Sequence, residues 1–223
     1  MDDYSKHIAI IGGGIAGLSL GCFLLSENIK CVIFERSSKI REGGAGISIS
    51  PNAINLLDKI NLKESLSNEG FFPEKINFLD EDDPITSVES RVCCISREKL
   101  VSILHKRFIE HGGKIIFDHE YTSFNSDTKI LNFKNNQSYK IFHLAACDGI
   151  KSKIRNDFFD FAEPVYSGYS AWRCIGENPH KDAFLQLSAN KHLVLYPITG
   201  SLSSFVGCIK TSRENNESWI AEG

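Results

Sequence analysis

Residues 8–36 read IAIIGGGIAGLSLGCFLLSENIKCVIFER. The opening run, Ile8-Ala9-Ile10-Ile11, has the length and composition of one buried parallel strand. It stops at Gly12-Gly13-Gly14. Ile15-Ala16-Gly17 then opens a segment in which Leu18, Leu20, Phe23, Leu24 and Leu25 recur at helical spacing. A second apolar run, Cys31-Val32-Ile33-Phe34, ends at Glu35. The pattern predicts strand, glycine turn, helix and strand, with an acid at the tip of the second strand.

The spacing carries chemistry. Gly12 permits a tight turn, Gly14 lets backbone approach a pyrophosphate, and Gly17 lets helix and strand pack closely. The helix N-terminus at Ile15 and Ala16 offers N–H groups and about half a positive charge to phosphates. Glu35 stands 18 residues after Gly17, close to the spacing of an acid that binds ribose hydroxyls. Glycine turns also arise for packing alone, but here four elements agree in order and spacing, which points to dinucleotide binding.

A membrane reading fails on the same stretch. Residues 7–26 hold no Asp, Glu, Lys or Arg, yet five glycines (12, 13, 14, 17 and 21) make a poor spanning helix. Asp2 and Asp3 outweigh Lys6 where a signal peptide needs positive charge.

The 223-residue chain is long enough for one large domain or two small ones. A net charge of −3 gives no reason to expect nucleic acid or an acidic membrane. Seven cysteines with no CxxC suggest free thiols in a reducing cytoplasm, and the vicinal pair Cys93-Cys94 reads as buried strand.

After Glu35, Gly43, Gly44 and Gly46 form a loop that is either a plain connector or a cofactor-covering segment. Ile47-Ser48-Ile49 alternates like a strand, and Pro51-Asn52 opens a helix. Strands at 75–79 and 85–88 flank an acidic turn, Asp80-Glu81-Asp82-Asp83-Pro84, whose Pro favours a solvated hairpin over a metal site. Ser96 caps a helix from Arg97 that ends at Gly112-Gly113. Strands at 114–117, 121–124, 130–133 and 139–142 follow, the last three a meander with Asn135-Asn136 as its turn, and a further strand at 143–147 leads to Asp148-Gly149. That second acid–glycine pair at a strand end suggests another contact with the same ligand. A short helix at 152–159 and strands at 168–175, 184–187, 193–196 and 204–209 complete the pattern before a polar stretch with Trp219-Ile220.

With Asp148 reached, the chain resembles the FAD-dependent aromatic hydroxylases of the p-hydroxybenzoate hydroxylase fold, salicylate and 3-hydroxybenzoate hydroxylase branch. The matching pieces, in the family's order, are GGGIAG, FER, GGAGISISPNA, SREKL, ACDGIKSKIR, YSGYSAWR and HLVLYP. The resemblance implies an α/β fold: a Rossmann-like FAD-binding domain with a parallel sheet and β-meander (1–70 and 96–158), plus an antiparallel-sheet substrate domain (71–95 and 159–223). It implies that Gly12, Gly14, Ile15, Ala16 and Gly17 hold the FAD pyrophosphate and Glu35 the adenosine ribose. Arg36 would lie near the adenine, and Arg41 with Ala45-Gly46-Ile47 would run toward the flavin. Arg97 would meet the phosphates or ribityl chain, and Asp148-Gly149 would serve FAD and the nicotinamide donor. Arg97 also reads as a surface charge at a helix start, and Asp148 as a turn residue.

The implied activity is hydroxylation of a small phenolic substrate with FAD as cofactor, NADH or NADPH as hydride donor and O2 as oxygen source. His192 and Tyr196, four apart on one strand, share a face and match a phenol-lining pair of the family. They read equally as residues of an ordinary half-buried strand. The remaining histidines show no metal-ligand spacing, so no metal is expected. No segment before Gly223 matches the family's Gly-Asp motif, which implies a C-terminally truncated chain, working as a homodimer or with a complementing C-terminal chain. The alternatives are an inactive nucleotide-binding domain, or a reductase or halogenase of the same superfamily; AWRCIG around Trp172 lacks the halogenase GWxWxIP pattern.

Overall fold

The two apolar runs beside the glycine turn form neighbouring parallel strands in the computed structural model, which describes residues 3–40, 43–160, 163–178 and 180–212. β1 (Tyr4–Ile11) starts four residues before the expected Ile8, with a register shift between Tyr4 and Ile8. β2 (Cys31–Phe34) pairs with it from Ile8 opposite Cys31 to Ile11 opposite Phe34. Ala9, Ile10, Val32, Ile33 and Phe34 are wholly buried because both faces are covered. On one face Ile10 and Ile33 lie against the glycines of α1 (Ile15–Ser26). On the other, Ile11, Val32 and Phe34 pack with Tyr121, Leu131 and Phe133. That double cover is why the runs are apolar throughout rather than alternating.

The chain divides into two compact units, Met1–Glu42 with Val101–Pro164, and Gly43–Leu100 with Val165–Gly223. The first holds β1, α1, β2, most of a helix at Arg97–Glu110, strands at Ile115–Ile116, Tyr121–Asn125, Ile130–Phe133 and Ser138–Ala146, and a helix at Lys153–Phe158. The second holds β3 (Gly46–Ile49), α2 (Pro51–Asp58), α3 (Lys63–Glu69), β4 (Lys75–Asp80), β5 (Asp83–Glu89) and β6 (Cys93–Ser96). In chain order the helix at Arg97–Glu110 is α4, the strands that follow it are β7 to β10, and the helix at Lys153–Phe158 is α5. The second unit closes with β11 (Tyr169–Glu177), β12 (Ala183–Ser188), β13 (Lys191–Pro197) and β14 (Leu202–Lys210).

The first unit is one six-stranded sheet in the order β7-β2-β1-β10-β9-β8. β1 is the point where the strand order reverses, since the chain passes to β2 on one side and returns as β10 on the other. Two strands expected at 139–142 and 143–147 are a single strand. β10 changes partners along its length, antiparallel to β9 at Ser138, Tyr139 and Lys140, and parallel to β1 toward Ala146. α4 packs on α1 with Leu104 and Phe108, both fully buried, and ends at Gly112-Gly113.

The second unit is built on a sheet in the order β11-β14-β13-β12-β4-β5, antiparallel except for β12 beside β4. The acidic hairpin joins β4 to β5 as expected. A two-stranded ladder, β3 with β6, carries Cys93 and Cys94 fully buried. The sequence division put residues 43–70 with the first domain, whereas by contacts they belong to the second unit. There β3 pairs with β6, and Gly46 reaches Ser204. α3 was not foreseen, because in KESLSNE only Leu66 is apolar and buried. Among the described residues, no helix is long and apolar enough to cross a membrane.

Candidate functional site

The carboxyl ends of β1, β2 and β10 meet at the glycine turn. Gly12 donates its N–H to the Phe34 carbonyl at 2.9 Å, and Cys147 donates to the Ile11 carbonyl at 2.9 Å. In open α/β sheets this is where ligands bind, outside the strand ends at the reversal of strand order. Gly12 has φ +109°, and a Cβ there would lie 2.3 Å from the Cys147 carbonyl oxygen. A Cβ on Gly17 would lie 1.9 Å from the Gly12 oxygen. Both positions therefore exclude any side chain.

Gly14 differs from them. Nothing lies within 4 Å of where its Cβ would be, so this turn of backbone borders open space. Gly14 is the N-cap of α1, no side chain caps the helix, and no acid stands in its first turn. An uncapped helix N-terminus facing open space suits an anion, for which the N–H groups of Ile15 and Ala16 and the helix dipole are the natural partners.

Glu35 completes the turn. One carboxylate oxygen accepts the Gly13 N–H at 2.7 Å and the other accepts the Ser37 N–H at 2.9 Å. The acid therefore ties the glycine turn to the tip of β2, and each oxygen keeps lone-pair capacity for a hydroxyl. Gly13 and Ser37 escaped the sequence reading, although their nearness to Glu35 in the motif was the available signal. Arg36 is exposed beyond the strand end, and Arg41 lies outside the described residues.

Asp148 follows β10 beside this turn, its backbone nitrogen 3.4 Å from the Cβ position of Gly12. One of its carboxylate oxygens accepts the Ile154 N–H at 3.4 Å, within the first turn of α5, whose N-cap Ser152 accepts from Arg155 at 3.0 Å. Gly149 is exposed next to it. Burial, with the Asp148 charge beside it, raises the Cys147 thiol pKa, which keeps that neighbour protonated. The first unit thus gathers Gly12, Gly14, Ile15, Ala16, Gly17, Glu35, Asp148 and Gly149 at one end of its sheet.

The second unit gathers the rest. Arg97 donates its N–H to the Ala45 carbonyl at 3.1 Å and its guanidinium to the Gly43 carbonyl at 3.2 Å. Gly46 opposes Ser96, and Ile47 opposes Ile95, in the β3–β6 ladder. Within this unit Arg97 is a clamp on the glycine loop. On β13, His192 is exposed and Tyr196 is buried. Four strand residues span about 13 Å, so the two side chains do not converge on one hydroxyl. Burial pushes the Tyr196 phenol pKa up, while a hydrogen bond from Ser204 and the Arg173 charge pull it back. Ser204 carried no signal in the sequence, since the residue it touches, Gly46, is 158 positions away. Among the described residues no group of three or more His, Cys, Asp or Glu is placed to hold a metal.

The residues at the glycine turn fit the ADP half of FAD. There is room above Gly14, an uncapped helix N-terminus for the pyrophosphate, and a carboxylate at the tip of β2 for the ribose. The profile of the FAD binding domain family matches residues 5–220. The chain is 25% identical to a 3-amino-4-hydroxybenzoate 2-monooxygenase of Streptomyces platensis, over 98% of this chain and 60% of that protein. It is 23% identical to a 3-hydroxybenzoate 6-hydroxylase of Klebsiella oxytoca, over 96% of this chain and 59% of that protein. The chain therefore spans about 60% of the length of these relatives. Among solved structures, Klebsiella pneumoniae HpxO complexed with FAD and uric acid superposes with a TM-score of 0.82 at 22% identity, over 96% of this chain and 59% of that one. That likeness shows the fold. With the glycine turn, the ribose-side acid and a family match over nearly its whole length, the chain belongs to the FAD binding domain family.

Proposed function

We propose that this chain is the cofactor-binding and substrate-sheet portion of an FAD-dependent aromatic monooxygenase. It would hydroxylate a small phenolic substrate with NADH or NADPH and O2. The observation that carries the reading is the open, uncapped start of α1 at Gly14, with Glu35 holding the turn beside it. The hydroxybenzoate monooxygenases among its relatives support the substrate class. Seven free cysteines support a cytoplasmic setting.

Bound FAD supplies the redox chemistry. The chain's own residues supply position. The first unit is the FAD domain: Ile15 and Ala16 hold the pyrophosphate, Glu35 accepts the ribose hydroxyls without releasing Gly13, and Asp148-Gly149 closes the strand end beside them. Arg36 lies on the adenine side, and Arg41 belongs to the same proposal. In the second unit, Arg97 fixes the Ala45-Gly46-Ile47 segment for the flavin side. The Tyr196 hydroxyl exchanges a hydrogen bond with the substrate phenol, and His192 marks the far, exposed end of that strand face.

Fluorescence titration of the flavin-free chain with FAD, with ADP as competitor, tests the cofactor half. Saturable binding that ADP reverses is expected; absence of FAD binding overturns the reading. Glu35→Ala removes charge-assisted bonds of about 1.5–3 kcal/mol, so its FAD affinity should fall roughly ten-fold or more. Tyr196→Phe keeps the ring and loses the hydroxyl. With 3-hydroxybenzoate as probe it should cut hydroxylated product more than NADH consumption.

A further inference from the structure

α5 is six residues long, too short to persist in water on its own intrahelical bonds. Its charges do not help it. Lys153 stands at its first position and Asp157 next to its last, the reverse of what the helix dipole favours. Both side chains bond instead to β8, an edge strand of the first sheet. The Tyr121 hydroxyl donates to an Asp157 carboxylate oxygen at 2.9 Å, and Lys153 Nζ donates to the Thr122 carbonyl at 2.7 Å. That ammonium also lies 5.9 Å from the centre of the Tyr121 ring.

Packing agrees with these bonds. Tyr121 is 7% exposed and shares one cluster with Ile154 of α5, Ile11 of β1 and Phe34 of β2. Phe158 meets Phe124 with ring centres 6.0 Å apart. Burial first, then the bond to Asp157 and the charges of Asp157 and Asp148, hold the Tyr121 phenol pKa far above its ordinary value, so its hydroxyl remains the donor. α5 therefore follows directly on the end of β10 but is anchored to β8, two strands further across the sheet.

What this anchorage fixes is the turn between β10 and α5. Gly149 there has φ +87°, and the Asp148 carboxylate accepts the Ile154 N–H at 3.4 Å. Arg155 adds two bonds to the same segment, from its N–H to the Ser152 hydroxyl at 3.0 Å and from its guanidinium to the Ile150 carbonyl at 2.9 Å. A bond as long as 3.4 Å is weak, and it holds the carboxylate only while α5 stays where it is. We propose that Tyr121 and Asp157 are positioning residues for Asp148: by pinning α5 to β8 they keep the Ile154 N–H against the Asp148 carboxylate and fix how that acid meets FAD. The inference rests on the proposed contact of Asp148-Gly149 with the cofactor, and it adds what holds that turn in place.

Amide hydrogen exchange, read residue by residue, tests the pinning. Tyr121→Phe keeps the ring and removes the donor. Asp157→Ala removes the acceptor at an exposed position, and covers the case in which the core variant fails to fold. In both, the Ile154 and Arg155 amides should exchange about ten-fold faster, the worth of one ordinary hydrogen bond, with the amides of β1 and β2 much less affected. Asp157→Asn keeps an acceptor oxygen and should restore slow exchange. Unchanged exchange at Ile154 overturns the inference, and so does equal acceleration in β1 and β2, which would mark a contribution to overall stability alone. FAD titration gives the second arm. Tyr121→Phe should weaken binding about three-fold or more, and in an Asp148→Ala background it should have no further effect, because one residue acts through the other. Two effects that simply multiply overturn the inference. Faster local exchange with FAD affinity indifferent to Asp148→Ala overturns the Asp148 contact instead, and with it the purpose assigned to the pair.

Discussion

Three glycines of one motif do two different jobs, and the structure separates them by what each would strike. Gly12 and Gly17 are closed by backbone at 2.3 Å and 1.9 Å, so each is a folding requirement. Gly14 strikes nothing and adopts φ −80°, which any residue accepts. Gly17→Ala should therefore unfold or severely destabilise the protein, because backbone cannot yield as a flexible side chain does. Gly14→Ala should change stability by less than about 1 kcal/mol, the scale of an N-cap exchange. It should nevertheless weaken FAD binding, since the new methyl occupies the approach to the helix N-terminus. Chemical denaturation and FAD titration of the two variants check this; a Gly14→Ala variant with full FAD affinity would move the phosphates elsewhere. Glu35 stands between the two kinds of residue. It holds the turn through Gly13 and Ser37 and faces the expected ribose. Glu35→Ala should thus lower unfolding stability, by about 1–3 kcal/mol for two lost charge-assisted bonds, as well as FAD affinity. Loss of affinity with no change in stability would show that the bonds to Gly13 and Ser37 are incidental.

Between elements, α1 fits closely against α4. The Phe108 ring is fully buried, and a Cβ on Gly21 would stand 2.6 Å from one of its carbons. The sulfur of Cys22 reaches the Leu104 carbonyl on the same interface, at 3.5 Å. Gly21→Ala should cost about 1–3 kcal/mol through overpacking. Phe108→Leu should cost a comparable amount through lost volume. Combined, they should be less harmful than their sum, since the smaller side chain makes room for the methyl. A double-mutant cycle by denaturant unfolding measures the coupling, and strict additivity would show that Gly21 is not held by Phe108. Local patterns of this kind were legible in the sequence: the strand–turn–helix–strand order, the Ser96 cap, the acidic hairpin and the end of α4 at Gly112-Gly113. They rest on contacts between near neighbours. What stayed hidden needed distant partners. β10 was split in two because pairing changes hands after Lys140, and no periodicity marks a change of partner. Residues 43–70 group by contacts with the second unit because β3 finds β6 and Ser204, both far along the chain. The bond from Gly46 to Ser204 depends wholly on such a meeting.

For the whole molecule, the cysteines tie stability to pH. Seven are present and all are free. Cys22 and Cys31 in the first unit and Cys93 in the second are pushed from 9.0 to about 11, and Cys94 to about 12, by burial above all. A raised thiol pKa means the folded chain keeps protons that the unfolded chain releases. Stability then falls as pH rises wherever the folded state binds more protons. The thiol contribution is whole below the unperturbed value of 9.0 and drains away as pH climbs toward 11 and 12. Because the four thiols sit in both units, neither unit should escape the loss. Urea unfolding is expected to give a midpoint that the thiols leave flat from neutral pH to about pH 8.5 and that declines steeply above pH 9. Replacing Cys94 by Ala should soften the decline, though at some cost in packing at lower pH. Reactivity offers a second reading of the same burial. Iodoacetamide near neutral pH should modify exposed Cys174 first, half-buried Cys147 and Cys208 more slowly, and the other four only after unfolding. Peptide mapping of the native protein decides it. Early labelling of Cys93 or Cys94 would mean that the β3–β6 ladder opens readily, and the alkaline loss of stability would then need a source other than buried thiols.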